Sequence, residues 1–125
     1  MRAYTVATVA IALNVTQKWL DNTLSHLRID GVIQTRQGVS RKLSPHAVLT
    51  LHIALQLVEH LEMPLRKALA LANELARPPQ AGSYALSQGL SITLDLNYSV
   101  EEITRRLARA VEITPLPRRG RPLIK

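Results

Sequence analysis

Apolar side chains recur early in the chain at the spacing of short amphipathic helices. Val6, Val9, Ala10 and Leu13 fall at i, i+3, i+4 and i+7, the positions of one helix face. Thr5 stands before them as an N-cap, and Asn14 follows, a residue that tolerates the left-handed conformation in which a helix ends and the chain turns. Thr16 caps a second predicted helix over 17–27, with Leu20, Leu24 and Leu27 inward and Val15 just before the cap. Residues 29–35 and 39–43 are β-prone and flank Arg36-Gln37-Gly38, which predicts a small hairpin. Ser44-Pro45 then reads as an N-cap followed by Pro at the first helical position. The helix predicted over 45–62 is apolar on most of its circumference, so it belongs at the buried centre of a domain or in an oligomer interface. Met63-Pro64 ends it, and a fourth helix over 64–77 carries Leu65, Ala68, Leu69, Ala72, Leu75 and Ala76.

Residues 78–89 read as a linker, opening on Pro78-Pro79-Gln80-Ala81-Gly82-Ser83. Beyond it, residues 90–97 alternate between apolar and polar, the pattern of a half-buried strand. Ser99-Val100-Glu101-Glu102 has the form of a capping box opening a helix to about Glu112, with Ile103, Leu107 and Val111 on one face. A lone strand makes no sheet. Either the hairpin over 29–43 or the same strand of a second chain is expected to receive it. The predicted fold is mainly α: two short helices with a hairpin, two packed helices, then a strand-helix appendage over 90–113 that serves oligomerisation, and a basic flexible tail over 114–125.

Composition narrows the classes. The 125 residues suffice for one core, and with no Phe its volume comes from Leu, Ile, Val and Ala. The absence of Cys excludes disulfides and thiolate metal sites. No run approaches the roughly 18 apolar residues that span a bilayer. Arg2 followed by residues 3–13 imitates a short signal peptide, but Tyr4, Thr5 and Thr8 interrupt the apolar run and one Arg is its whole basic region, so a cytoplasmic chain is expected.

The net charge is +7, and it is unevenly placed. Residues 1–45 hold six Lys/Arg and two Asp, residues 46–114 hold six Lys/Arg and seven acids, and residues 115–125 hold Arg118, Arg119, Arg121 and Lys125 with no acid. Excess cation confined to the two ends points to a polyanionic partner, nucleic acid before an unspecific basic surface. A membrane surface is not expected, because neither end adjoins an apolar anchor.

Ala10 as the small residue where two helices touch, Asn14 as the turn, and Val9, Leu13, Val15 and Leu20 as packing residues form a helix-turn-helix pattern; a plain helical hairpin satisfies part of it. With the hairpin as a wing, residues 4–77 resemble the MerR superfamily of winged helix-turn-helix proteins. The resemblance rests on Tyr4-Thr5-Val6, Val9-Ala10, Asn14-Val15-Thr16, Gly38 with Arg41-Lys42-Leu43-Ser44, Val48 and Leu51, and Leu61-Glu62-Met63-Pro64-Leu65. It implies a DNA-binding homodimer with its second helix in the major groove of double-stranded DNA and its wing on the backbone. The chain departs from that pattern at Asn14, where the family usually has Gly, at Asp21, Asn22 and Thr23, where it usually has Arg and paired aromatics, and at Val39, where it usually has an aromatic. It also lacks the family's long coiled coil and effector-binding Cys, so neither metal sensing nor a target sequence is implied. Small phage and plasmid regulators with winged motifs share the pattern equally.

The outward positions of the second helix are Thr16, Gln17, Lys18, Asp21, Asn22 and Ser25. Gln and Asn pair bidentately with adenine, Lys reaches guanine or phosphate, and Asp accepts from cytosine N4. The same residues also suit a plain solvated face, and Asp21 is the strongest objection to base reading, since an acid beside phosphates opposes binding. Trp19 is expected to pack under the wing. Arg28, Arg36, Arg41 and Lys42 are the expected backbone contacts, which position without reading sequence. At the far end, Arg118-Arg119-Gly120-Arg121-Pro122, with Lys125 beyond, resembles an AT-hook core, in which Arg side chains flanking Gly lie along a narrow minor groove. An unspecific basic tail is the alternative, and both predict salt-sensitive binding.

Other chemistry is sparse. His46, His52 and His60 lie on one predicted helix at spacings of six and eight, whereas a helical zinc pair needs i and i+4, so they are expected to be surface or half-buried residues. No nucleophile-base set, paired carboxylates or glycine-rich phosphate loop stands out. The expectation is therefore a DNA-binding transcription regulator, nucleoid-associated and without enzyme activity, cofactor or metal, and with no small-molecule effector. The alternative is a winged protein-interaction module, such as an antitoxin, an accessory factor of a phage or plasmid, or an architectural DNA-binding protein.

Overall fold

The computed structural model describes residues 3–34, 41–77 and 82–113 and is mainly helical. Helices α1 (Val6–Leu13), α2 (Gln17–His26), α3 (Pro45–Leu61), α4 (Leu65–Leu75) and α5 (Leu96–Ile113) are joined by short strands. The three caps read from the sequence are made. The hydroxyl oxygens of Thr5, Thr16 and Ser44 accept from the backbone N–H groups of Thr8, Trp19 and Ala47 at 3.2, 3.0 and 3.1 Å, which satisfies one orphan donor at each helix start.

α3 is the centre of the core. Every residue from Ala47 to Ala54 is buried, because α4 covers one side and α1 and α5 the other. The enclosed middle of α3 leaves no surface for a polar residue, whereas toward its ends His46 is half-buried and Glu59 and His60 are exposed. His52 is accordingly buried, not on the surface or half-exposed as expected, and its Nε2 has no hydrogen-bond partner. Burial lowers the pKa of His52, the charge of Arg106 lowers it further, and Glu102 opposes both.

A three-stranded antiparallel sheet of order β1-β3-β2 stands beside the helices, built from β1 (Tyr4–Thr5), β2 (Val32–Ile33) and β3 (Lys42–Leu43). Leu43 is opposite both Tyr4 and Val32, and its side chain is fully buried. β2 and β3 are the flanks of the expected hairpin; its tip, residues 35–40, lies outside the described residues. The sequence reading contained no β1, which carries no local signal and exists only by pairing with β3.

The C-terminal third differs most from expectation. The strand read over 90–97 is shorter, β5 (Leu90–Thr93), and its partner within the chain is not the wing but β4 (Ser83–Ser87), inside the stretch read as linker. Gly82 N donates to Leu75 O at 3.1 Å and Leu94 N to Gly82 O at 2.7 Å, which moors this hairpin to the end of α4. The expected capping box does not open α5. Asp95 does, its Oδ1 accepting from Tyr98 N at 3.0 Å, so that Ser99 becomes a buried residue within the helix. Ile103, Leu107 and Ala110 face inward and join the same core as Val9, Leu13 and Val48, while Val111, expected inward, is 40% exposed. Segment 90–113 is thus part of the core, not an appendage.

Candidate nucleic-acid interface

The turn between α1 and α2 follows from Asn14. At φ 59° it takes the left-handed conformation, its N–H donates to Ile11 O at 3.2 Å, and Val15 N donates to Ala10 O at 3.0 Å. This closes the last turn of α1 as a Schellman motif. Val9, Ala10 and Leu13 are buried on the α1 side, and Leu20 on the α2 side is fully buried. Thr23 is also buried, its hydroxyl satisfied by Trp19 O at 2.9 Å, while Leu24 and Leu27 are only half-buried. Trp19 is half-buried against the core, consistent with a packing role.

The opposite face of α2 presents the sequence-predicted set. Thr16, Gln17, Lys18, Asn22 and Ser25 are exposed and Asp21 is half-buried. Part of this face is occupied within the chain. Arg41, at the root of the wing, donates through Nη2 to Ser25 Oγ at 3.2 Å, and its Nη1 lies 3.9 Å from Asp21 Oδ1. Asp21, the residue that argued against a DNA-reading role, therefore has its charge matched by a wing cation. Arg41 in turn is directed onto α2 rather than out to solvent, with its side chain 25% exposed. The sequence held no signal for this pairing, which crosses from the residue before β3 to α2.

Arg28 and Arg41 line a groove of about 440 Å³ between the C-terminal half of α2 and the β2 side of the sheet, with Leu24, Leu27 and Gln34. Arg28 and Lys42 are exposed, Lys42 pointing away from the core on the strand whose next residue is buried Leu43. The loop carrying Arg28 is fixed at two points: Arg77 Nη2 lies 4.0 Å from Asp30 Oδ2, and Ser44 N donates to Gly31 O at 2.9 Å. Arg36 and the tail residues Arg118, Arg119, Gly120, Arg121 and Lys125 lie outside the described residues.

Elsewhere, Glu102 on α5 accepts from Arg106 Nε at 3.1 Å and is paired with Arg105. Partial burial works to raise its pKa, but hydrogen bonds and charge from Arg106 and Arg105 outweigh this and hold it below the usual carboxylate value. Among the described residues no group of His, Asp or Glu is placed to hold a metal ion, and no helix is long and apolar enough to cross a membrane. Comparison of the chain with protein families, with curated proteins and with solved structures finds no match.

Proposed function

We propose that the chain is a sequence-specific DNA-binding regulator of transcription, a MerR-like winged helix-turn-helix protein acting as a dimer. In this reading α2 enters the major groove and presents Gln17, Lys18, Asp21 and Asn22 to base edges, flanked by Thr16 and Ser25. Arg28, Lys42 and the wing residue Arg36 approach phosphates. The tail from Arg118 to Lys125 follows the minor groove in the manner of an AT-hook. The observation that carries the reading is the row of exposed polar side chains on a well-capped helix, joined at Asp21 and Ser25 by an arginine from the wing root. A helix that served only as a solvated face would need no such strut between wing and helix. The concentration of cations at the two ends of the chain adds the electrostatic half of the argument.

The test is to select DNA from a random pool with the full chain and compare the selected site with random duplex. Lys18→Ala and Asn22→Ala are expected to lose about 1–3 kcal/mol on the selected site and much less on random DNA. Equal losses on both would mean that α2 reads no bases, and no enrichment from the pool would reject sequence-specific binding.

A further inference from the structure

The β4–β5 hairpin has an edge built to be joined. Among the described residues β4 and β5 form a two-stranded sheet with no further strand on either side. Exposed edges of this kind are usually guarded by charges, by Pro or by a bulge. β4 has such a guard, a register irregularity between Ala85 and Ser87. β5 contains no Pro and no charge, and the extra residue of that irregularity, Leu86, lies on β4 and not on β5. The whole stretch from Gly82 to Leu94 lacks Asp, Glu, Lys, Arg and His. At the end of β5, Leu90 is 57% exposed, and nearby Leu86 is 45% exposed.

We infer that the free edge of β5 pairs antiparallel with β5 of a second copy of this chain, making a continuous sheet of β4 and β5 from one protomer followed by β5 and β4 from its partner. A net charge of +7 on each copy opposes self-association, so two copies meet best on a surface free of cations, and this strand is such a surface. The pairing is also self-complementary, as a twofold interface must be.

Side-chain parity fixes the register. Leu90, Ile92 and Leu94 lie on one face of β5, the face whose Ile92 and Leu94 pack on the core. To continue one apolar face across the junction, residues directly opposite must share that parity, so the twofold axis passes through a residue and not between two. With Ser91 opposite the partner's Ser91, Leu90 lies against the partner's Ile92 and its exposure is relieved. Four residues a side make a small contact, at the low end of about 1,200 Å² or less, so the dimer is a micromolar one. This inference rests on the dimer of the proposed function but not on DNA binding, and it is tested without DNA, so its failure is distinguishable from a failure to bind DNA.

Because the chain has no Cys, single cysteines report cleanly. In an antiparallel pair, opposite Cα atoms are about 4.5–5.5 Å apart, within disulfide reach. Ser91→Cys is expected to form a covalent dimer on mild oxidation, and Thr104→Cys, exposed on α5, is not. In sedimentation equilibrium from low micromolar to submillimolar concentration, the unmodified chain dimerises. Leu90→Lys weakens that dimer by about ten-fold or more, since it sets a charge against an apolar partner. At concentrations where both chains are monomeric, its helical circular dichroism and melting temperature match those of the unmodified chain, because Leu90 is exposed in the monomer. A chain monomeric throughout, a dimer indifferent to Leu90→Lys, or cross-linking at Thr104→Cys in preference to Ser91→Cys would each overturn the proposal.

Discussion

Gly31→Ala offers the sharpest check of how the wing is attached. Gly31 has φ +94°, and a Cβ there would stand 2.2 Å from Ser44 Oγ, with Ala47 Cβ at 3.2 Å and Ala47 N at 3.3 Å closing off escape. Three costs combine. An L-residue at this φ costs about 1 kcal/mol. Displacing Ser44 Oγ breaks the cap it makes to Ala47 N, another ~1 kcal/mol. Moving the backbone apart stretches the bond from Ser44 N to Gly31 O, again about 1 kcal/mol. A loss of about 3 kcal/mol, for a domain of this size, lowers the melting temperature by roughly 10 °C. Gly89→Ala is the matched control, because Gly89 has φ +85° with nothing within 4 Å of the added carbon, so it incurs only the backbone strain. Thermal unfolding followed by far-ultraviolet circular dichroism measures both. Adding Ser44→Ala to Gly31→Ala removes the closest atom in the clash, so the double variant should lose less than the sum of the singles. Equal melting shifts for Gly31→Ala and Gly89→Ala would refute the close approach of the wing root to the start of α3.

Two further outcomes follow from buried and paired charge. His52 is neutral in both states above its ordinary value of 6.5; below it the unfolded chain takes up a proton that the folded chain resists, so stability falls with pH, and His52→Leu should flatten that fall in denaturant titrations. Arg41→Ala leaves Asp21 without its cation on the proposed DNA face, so affinity in a fluorescence-anisotropy titration should drop about ten-fold and recover in part when Asp21→Asn is added; if Asp21→Asn gives no recovery, Arg41 does not act by masking Asp21.

Sequence pattern carried the first four helices well, for a physical reason. Their caps, turns and apolar faces are local, and Thr5, Asn14, Thr16 and Ser44 each do in the structure what their chemistry permits. What escaped depends on distant partners. β1 is two residues long and is a strand only because β3 lies beside it. α5 opens after Asp95, whose carboxylate accepts from Tyr98 N, and the burial of Ser99, Ile103, Leu107 and Ala110 inside it depends on contact with α1 and α3. β4 was legible in hindsight: Gln88-Gly89 between two apolar segments is a hairpin signal, but Pro78-Pro79 drew the reading toward a linker. The burial of His52 depends on α1, α4 and α5 closing over the middle of α3, which no local pattern specifies. The Arg41–Asp21 contact could not be seen, because no periodicity links positions on a strand and a helix.

That contact changes where binding strength resides under the proposed function. With Arg41 held by Asp21 and Ser25, Lys18 is the one cation on the reading face of α2 among the described residues. A reading helix so nearly neutral contributes discrimination through hydrogen bonds and little attraction to phosphate. Attraction then falls to Arg28, Lys42, Arg36 and the tail. Such a division makes affinity steeply salt-dependent while leaving base preference nearly salt-independent, because counterion release belongs to the phosphate contacts alone. α5, packed on α1 and α3, fixes the helix from which the α2 turn departs.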